Sequence, residues 1–293
     1  MTAAPAVTAE APAKLNLYLH VTGRRGDGFH LLDSLIAFAN IGDRLTAEPA
    51  PDGGLDLHVT GPFAMSLAQE ADNLVLRAAR ALREAADVTA GARLTLEKNL
   101  PVASGIGGGS ADAAAALWAL TALWAVSLPE DDMRALALSL GADVPICWVG
   151  RAAFVGGIGE AIDPAPPLPA APLVLVNPLK PLPTPKVFKA RTGPFQEPAR
   201  FNDMADSPAA LARLLAARRN GLTDAAVQAE PAVAEVLAAL NAAPGTLLAR
   251  MSGSGATCFA LFETDAAAAA AATILAAAHS TWWVKAGRLA GGA

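Results

Sequence analysis

Pro101–Ala116 reads PVASGIGGGSADAAAA, and four of its glycines, Gly105, Gly107, Gly108 and Gly109, fall within five residues. Removing four Cβ atoms lets the backbone take positive φ and bring its amides close to a bound group. Ser110 is a good N-cap type, and the alanine-rich run behind it reads as a long helix to about Val126. A glycine loop feeding a helix N-terminus suits an anion, because free N–H groups and the helix dipole point the same way. Ser110 can also offer its hydroxyl to a phosphate or to a bound Mg²⁺. The run lacks the Gly-Lys-Ser/Thr ending of a Walker A loop and does not have G-x-G-x-x-G spacing, so neither a P-loop nor a Rossmann fingerprint fits. Composition alone leaves open a plain glycine-rich turn that starts a packed helix.

Working outward, KLNLYLHV (14–21) alternates: Leu15, Leu17, Leu19 and Val21 against Lys14, Asn16, Tyr18 and His20. Period 2 predicts a half-buried strand with Lys14 and Asn16 on one face, about 7 Å apart along the strand. By itself that face reads as solvated. Gly26, Asp27 and Gly28 then predict a tight turn, and strands are expected over 31–41 and 53–59. Asn73–Ala86 has helical apolar spacing, and Arg93–Glu97 reads as a strand. The run from Ser110 is apolar nearly all round and is expected inside the protein. Pro129–Ser139 reads as a helix, and ICWV (146–149) as the lead into a strand. Asp143, in GADVP, sits among apolar residues, where a carboxylate is costly unless paired or functional; a turn aspartate capping local amides is the alternative. LVLVNP (173–178) reads as a buried strand, 209–219 and 231–242 as helices, 266–278 as an alanine helix and TWWVKA (281–286) as a strand. Between two apolar stretches, MSGSGATC (251–258) makes a small-residue loop. It is a plain turn on its own, but gains meaning if it meets the first loop at a polyphosphate. No periodicity organises 190–206.

Strands and helices that do not strictly alternate indicate an α+β chain, and 293 residues are comfortable for two domains. Proline density peaks in PAPPLPAAP (164–172), which puts the expected boundary between 1–163 and 164–293. A net charge of −5 with no basic run disfavours a nucleic-acid partner. Cys147 and Cys258 stand far apart in apolar stretches and read as buried free thiols of a reducing compartment. The N-terminal MTAAPAVTAEAPAK has neither the basic segment nor the apolar core of a leader. The alanine stretch is too short for a bilayer span, which takes ~20 residues. A cytoplasmic protein is expected.

Taken together, PAKLNLYLHVTGRRGDGFH, PVASGIGGGSADAAAA, LGADVPICW and MSGSGATCFALF resemble the GHMP kinases over about residues 11–286. The first and third of these, with LPTPKVF, resemble the branch whose acceptor is a cytidine diphosphate sugar alcohol. The resemblance implies a two-domain fold, with an N-terminal ribosomal-protein-S5-like domain and a C-terminal ferredoxin-like domain. It implies ATP as co-substrate with Mg²⁺, a small-molecule acceptor, no membrane or nucleic-acid partner, and a monomer or homodimer. Pro101, Val102, Ala103, Ser104, Gly105, Ile106, Gly107, Gly108, Gly109, Ser110 and Ala111 then wrap the ATP phosphates. Lys14 and Asp143 match the catalytic lysine–aspartate pair, and Asn16 a contact to the acceptor near its reacting hydroxyl. Phe29 and Phe188 match rings that sandwich the cytosine, His30 a hydrogen bond to its edge, and Thr184 another pocket position. Gly253, Ser254 and Gly255 belong to the motif that closes over phosphate transfer. Position 29 is often tyrosine in that branch; phenylalanine keeps the stacking face and loses the hydroxyl. The motifs fix no second acidic residue for Mg²⁺, so phosphate oxygens and water are expected to hold most of the metal. Other acceptors of the family (homoserine, mevalonate) are the nearest alternatives, then a non-catalytic binding protein on the same scaffold.

Overall fold

The computed structural model describes residues 5–67 and 72–291; the first four residues of the N-terminal stretch read above lie outside this range. The chain forms two compact units that interleave along the sequence, whereas the division expected at 163/164 follows chain order. One unit comprises the described residues up to Ala13, Gly42–Val102 and Gly107–Gly150. The other comprises Lys14–Ile41, Ala103–Ile106 and the chain from Arg151 onward. Two long strands, β1 (Val7–Arg24) and β2 (His30–Ala50), contribute to both.

In the first unit, β3 (Leu55–Thr60) runs parallel to β4 (Gly91–Glu97), and β4 pairs antiparallel with Arg44–Ala50 of β2. Alternation drives β4: Ala92, Leu94 and Leu96 are buried, Arg93 and Glu97 exposed. Helix α1 (Leu74–Ala85) starts where expected, because the Asn73 side chain accepts the Val75 N–H at 2.9 Å. Helix α2 (Gly108–Leu123) begins two residues before the expected start. Its N-cap is Gly107 at φ 64°, a left-handed turn open to glycine, so Ser110 lies inside the first turn and does not cap it. As expected, α2 is buried over Ala111–Leu117; Trp118 is the exception, half exposed and stacked on Trp148 at 4.3 Å. Helix α3 (Glu130–Leu140) follows. The ICWV segment leads into a strand that starts at Ala153, as expected, and is itself helical. Val144–Val149 forms a short helix, α4, with Pro145 in its first turn, where a missing N–H costs nothing, and left-handed Gly150 ends it.

In the second unit, β5 (Ala153–Gly157) pairs with Leu32–Ile36 of β2 and with β6 (Ala161–Pro164). Then come β7 (Pro172–Asn177), α5 (Thr184–Ala190), α6 (Pro208–Ala216), α7 (Thr223–Ala229), α8 (Ala232–Ala242), β8 (Thr246–Met251), β9 (Cys258–Phe262), α9 (Asp265–Ala278) and β10 (Trp283–Arg288). The order β10-β7-β9-β8 is antiparallel throughout. With helices between the first and second strands and between the third and fourth, this is a ferredoxin-like βαββαβ sheet. Its central strand β7 is buried along its length, as its unbroken apolar run requires. Helices α5 and α7 have no counterpart in the sequence reading.

One expectation about β1 fails. Its polar face is not solvated: Lys14, Asn16, Tyr18 and His20 are 4%, 5%, 0% and 8% exposed. The stretch 196–197 covers it, with Gln196 accepting the Val21 N–H at 2.8 Å and the Glu197 carbonyl 2.7 Å from His20 Nδ1. Asn220 bridges to Leu19 on the same strand. Alternation fixes which residues share a face but not whether something packs on it. Cys147 and Cys258 are buried and are not joined in a disulfide, as expected. Among the described residues, no helix is long and apolar enough to cross a membrane.

Candidate active site

The polar face of β1 is a fixed hydrogen-bond ladder. Lys14 Nζ donates to Asn16 Oδ1 at 3.1 Å, and Asn16 Nδ2 donates to Ser34 Oγ at 2.8 Å. Ser34 Oγ in turn donates to the Tyr18 carbonyl, at 2.5 Å. Asn16 therefore has its oxygen aimed at the ammonium and its nitrogen at β2. Further along, the Tyr18 hydroxyl donates to Asp33 Oδ2, whose other oxygen takes Arg200 Nε at 2.9 Å. Burial first, then the Asp33 charge, pushes the Tyr18 phenol far above its ordinary range.

The two small-residue loops meet, in the part of the glycine loop that belongs to the second unit. The Lys14 N–H donates to the Ile106 carbonyl at 2.9 Å, and the Thr257 N–H to the Ser104 carbonyl at 3.0 Å. Ser252 Oγ accepts the Asn16 N–H at 3.1 Å and donates to the Gly105 carbonyl at 3.0 Å. One hydroxyl thus ties the lysine strand, the glycine loop and the second loop together. Contact is so close that a Cβ on Gly105 would stand 2.5 Å from the Gly255 carbonyl oxygen and 2.6 Å from that of Ser252. Asn220 holds the second loop from behind, donating to the carbonyls of Met251 and Gly253, both at 2.8 Å. Ser254 Oγ is 2.8 Å from Thr184 Oγ1 on α5.

One turn along α5, Phe188 lies against His30, ring centroids 5.1 Å apart. Burial lowers the His30 pKa first, and the Arg24 and Arg191 cations lower it further, so the imidazole is neutral near pH 7. A neutral imidazole can donate from one nitrogen and accept at the other. Phe29 is 58% exposed at the end of the 25–29 turn; the ring pair seen at this end of the second unit is His30 with Phe188.

In the first unit, Pro101 is buried, Val102 is exposed, and Gly107 turns the chain into α2. The first helix bond is Ala111 N–H to the Gly107 carbonyl, at 2.8 Å, so Gly108, Gly109 and Ser110 bring amides with no helical acceptor. The first turn carries no acidic side chain to neutralise the dipole, and a Cβ on Gly109 would meet nothing within 4 Å. Asp143 is half-buried at the N-cap of α4, and its side chain does not cap that helix. Among the described residues, no group of three or more His, Cys, Asp or Glu is placed to hold a metal ion.

Sequence reading missed Asn220, Ser252 as the joint, Ser34 and the Asp33–Arg200 pair. Arg200 falls in the stretch without periodicity, where no pattern signals it.

Family models match on both sides of the proline-rich stretch: the GHMP kinases N terminal domain at residues 73–151 and the GHMP kinases C terminal at residues 204–280. The 4-diphosphocytidyl-2-C-methyl-D-erythritol kinase of Paramagnetospirillum magneticum is 56% identical over 280 residues, covering 96% of this chain and 97% of its own. That of Rhodospirillum rubrum is 53% identical over 292 residues, covering 99% and 94%. The chain belongs to the GHMP kinases, in the branch of the 4-diphosphocytidyl-2-C-methyl-D-erythritol kinases. A crystal structure of a 4-(cytidine 5'-diphospho)-2C-methyl-D-erythritol kinase superposes with a TM-score of 0.78 at 38% identity, over 97% of this chain and 100% of the other. Homoserine kinase from Cytophaga hutchinsonii superposes with a TM-score of 0.74 at 18% identity, over 97% and 95%, and shares the fold. The α+β, two-domain GHMP kinase fold expected from the sequence is the fold of this chain.

Proposed function

We propose that this chain transfers the γ-phosphoryl group of ATP to the 2-hydroxyl of 4-diphosphocytidyl-2-C-methyl-D-erythritol, a step of the non-mevalonate isoprenoid precursor route, in the cytoplasm. The observation that carries the reading is the joint at Ser252. It binds the Lys14 strand, Gly105 and the 252–257 loop into one rigid surface, as phosphoryl transfer demands, since its catalysis is mainly positioning and charge stabilisation. The amides of the 101–111 loop and the α2 N-terminus hold the phosphates. Asp143 takes the proton of the acceptor hydroxyl. Lys14, held by Asn16, offsets negative charge as it develops and favours ionisation of the weakly acidic alcohol. Asn16 also contacts the acceptor near that hydroxyl. His30 and Phe188 meet the cytosine, the ring by stacking and the neutral imidazole by hydrogen bonding, with Phe29 as the second ring. Thr184 and Gly253–Gly255 line the acceptor side.

The residues present fit a Mg²⁺ that keeps mostly phosphate and water ligands, with Ser110 in the open first turn of α2 as the side chain to hold it. When bound, the ion would neutralise phosphate charge.

The test is ADP release by the purified protein with ATP and magnesium, with and without 4-diphosphocytidyl-2-C-methyl-D-erythritol. Release that depends on this acceptor and is lost in Lys14→Ala and Asp143→Ala supports the reading. Folded, ATP-binding protein with no acceptor-dependent release sinks the substrate, and homoserine and mevalonate are then tried.

A further inference from the structure

Beneath the helix end of the glycine loop lies a buried charge cluster that the reaction above does not use. Lys98 directly follows β4, and its Nζ donates to Asp43 Oδ2 at 2.5 Å and to Asp112 Oδ2 at 2.6 Å. The three residues are 2%, 0% and 3% exposed. Asp43, on β2, uses its other oxygen to accept the backbone N–H groups of Asn99 and Leu100, at 2.5 and 2.8 Å. These two residues lead the chain into Pro101. Asp112 sits on α2, just past the first turn. A Cβ on Gly108 would stand 3.1 Å from the ammonium, so Lys98 lies directly under the first residue of the helix. One cation therefore pins both the chain entering the loop and the helix leaving it.

A cluster of this kind is a poor way to gain stability. Removing three charges from water is costly, and apolar residues of the same volume often do as well or better. Two carboxylates against one ammonium also leave an excess negative charge, and Asp112 Oδ1 is buried with no hydrogen-bonding protein group.

We infer that Lys98, Asp43 and Asp112 are positioning residues for ATP: they fix the spacing of the two ends of the glycine loop, so that the amides of Gly108, Gly109 and Ser110 stand in place before the nucleotide arrives. The inference rests on the reading of this loop as the phosphate site.

The experiment is calorimetric titration of the full chain at pH 7, with ATP and magnesium chloride without acceptor, and separately with cytidine. Lys98→Met is expected to weaken ATP about tenfold or more while cytidine affinity holds. A purely structural cluster would lower the melting temperature and leave the ATP affinity of folded protein as it was. Folded Lys98→Met with wild-type ATP affinity overturns the inference. If Lys98→Met does not fold, Asp112→Ala, which releases the helix end alone, decides: ATP bound about tenfold more weakly supports the inference and wild-type ATP affinity overturns it. Wild-type protein that binds no ATP overturns the assignment of the loop instead.

Discussion

Lys14 is a cation held at 4% exposure on a strand buried on both faces, and its ammonium donates to the amide oxygen of Asn16, which fixes where the positive charge stands. Asp143, the proposed proton acceptor, is the base to test. Asp143→Asn is expected to lower kcat by ~10²–10⁴-fold with little change in the KM for ATP, measured by steady-state ADP release; an unchanged kcat removes it from that role. At the cytosine end, Phe188→Ala should raise the acceptor KM by the equivalent of ~1–3 kcal/mol, the worth of one stacked base, and leave the KM for ATP alone. His30 adds a pH signature. Its pKa is lowered by burial and by two arginines, so the neutral ring persists as pH falls through 6.5. The acceptor KM should stay level from pH 8 to 6.5 and rise only below, and His30→Ala should start higher and lose the rise.

At the scale of elements, the loops separate glycines by need. Gly105 has φ +77° and backbone oxygens 2.5 and 2.6 Å from where a Cβ would sit. Gly105→Ala should lower the melting temperature and abolish turnover together, because it breaks the joint at Ser252. Gly109 has open space around it and lies in the first turn of α2; Gly109→Ala should fold at least as stably as wild type, since alanine is worth about 0.5–1 kcal/mol over glycine in a helix. Paired melting curves of the two variants check this. The loops were legible in the sequence because glycine clusters are rare and mean something definite about backbone freedom. So were Asn73 as a cap and the alternation of β4. What pattern could not supply was long-range cover. The polar side of 14–20 reads as solvated until the stretch around 196–197 is laid over it. ICWV leads into a strand as its apolar run suggests, but pattern did not show that Pro145 and Gly150 make the segment itself one helical stretch. Lys98, Asp43 and Asp112 lie far apart in sequence, each in an ordinary context, and only the fold shows that they meet.

At the scale of the whole molecule, the second unit gathers Lys14, the Ser252 joint and the His30–Phe188 pair on elements drawn from both ends of the chain, so its polar interior forms only when distant segments have met. Arg250 is a further case: 8% exposed, it donates to the carbonyls of Leu17, Leu215 and Arg218. Tyr18 belongs to this interior, and the chain has no other tyrosine. In an unfolded chain its phenol ionises near pH 10. In the folded protein, burial and Asp33 hold the proton on well beyond that. The folded state therefore retains a proton that the unfolded state releases, and stability present below pH 10 is lost as pH climbs further. This gives the protein a built-in optical reporter. Phenolate absorbance near 295 nm should be silent in an alkaline titration until the fold gives way. It should then appear in a single step coincident with the loss of ellipticity; a smooth rise centred at pH 10 in folded protein would mean that the phenol is open to water.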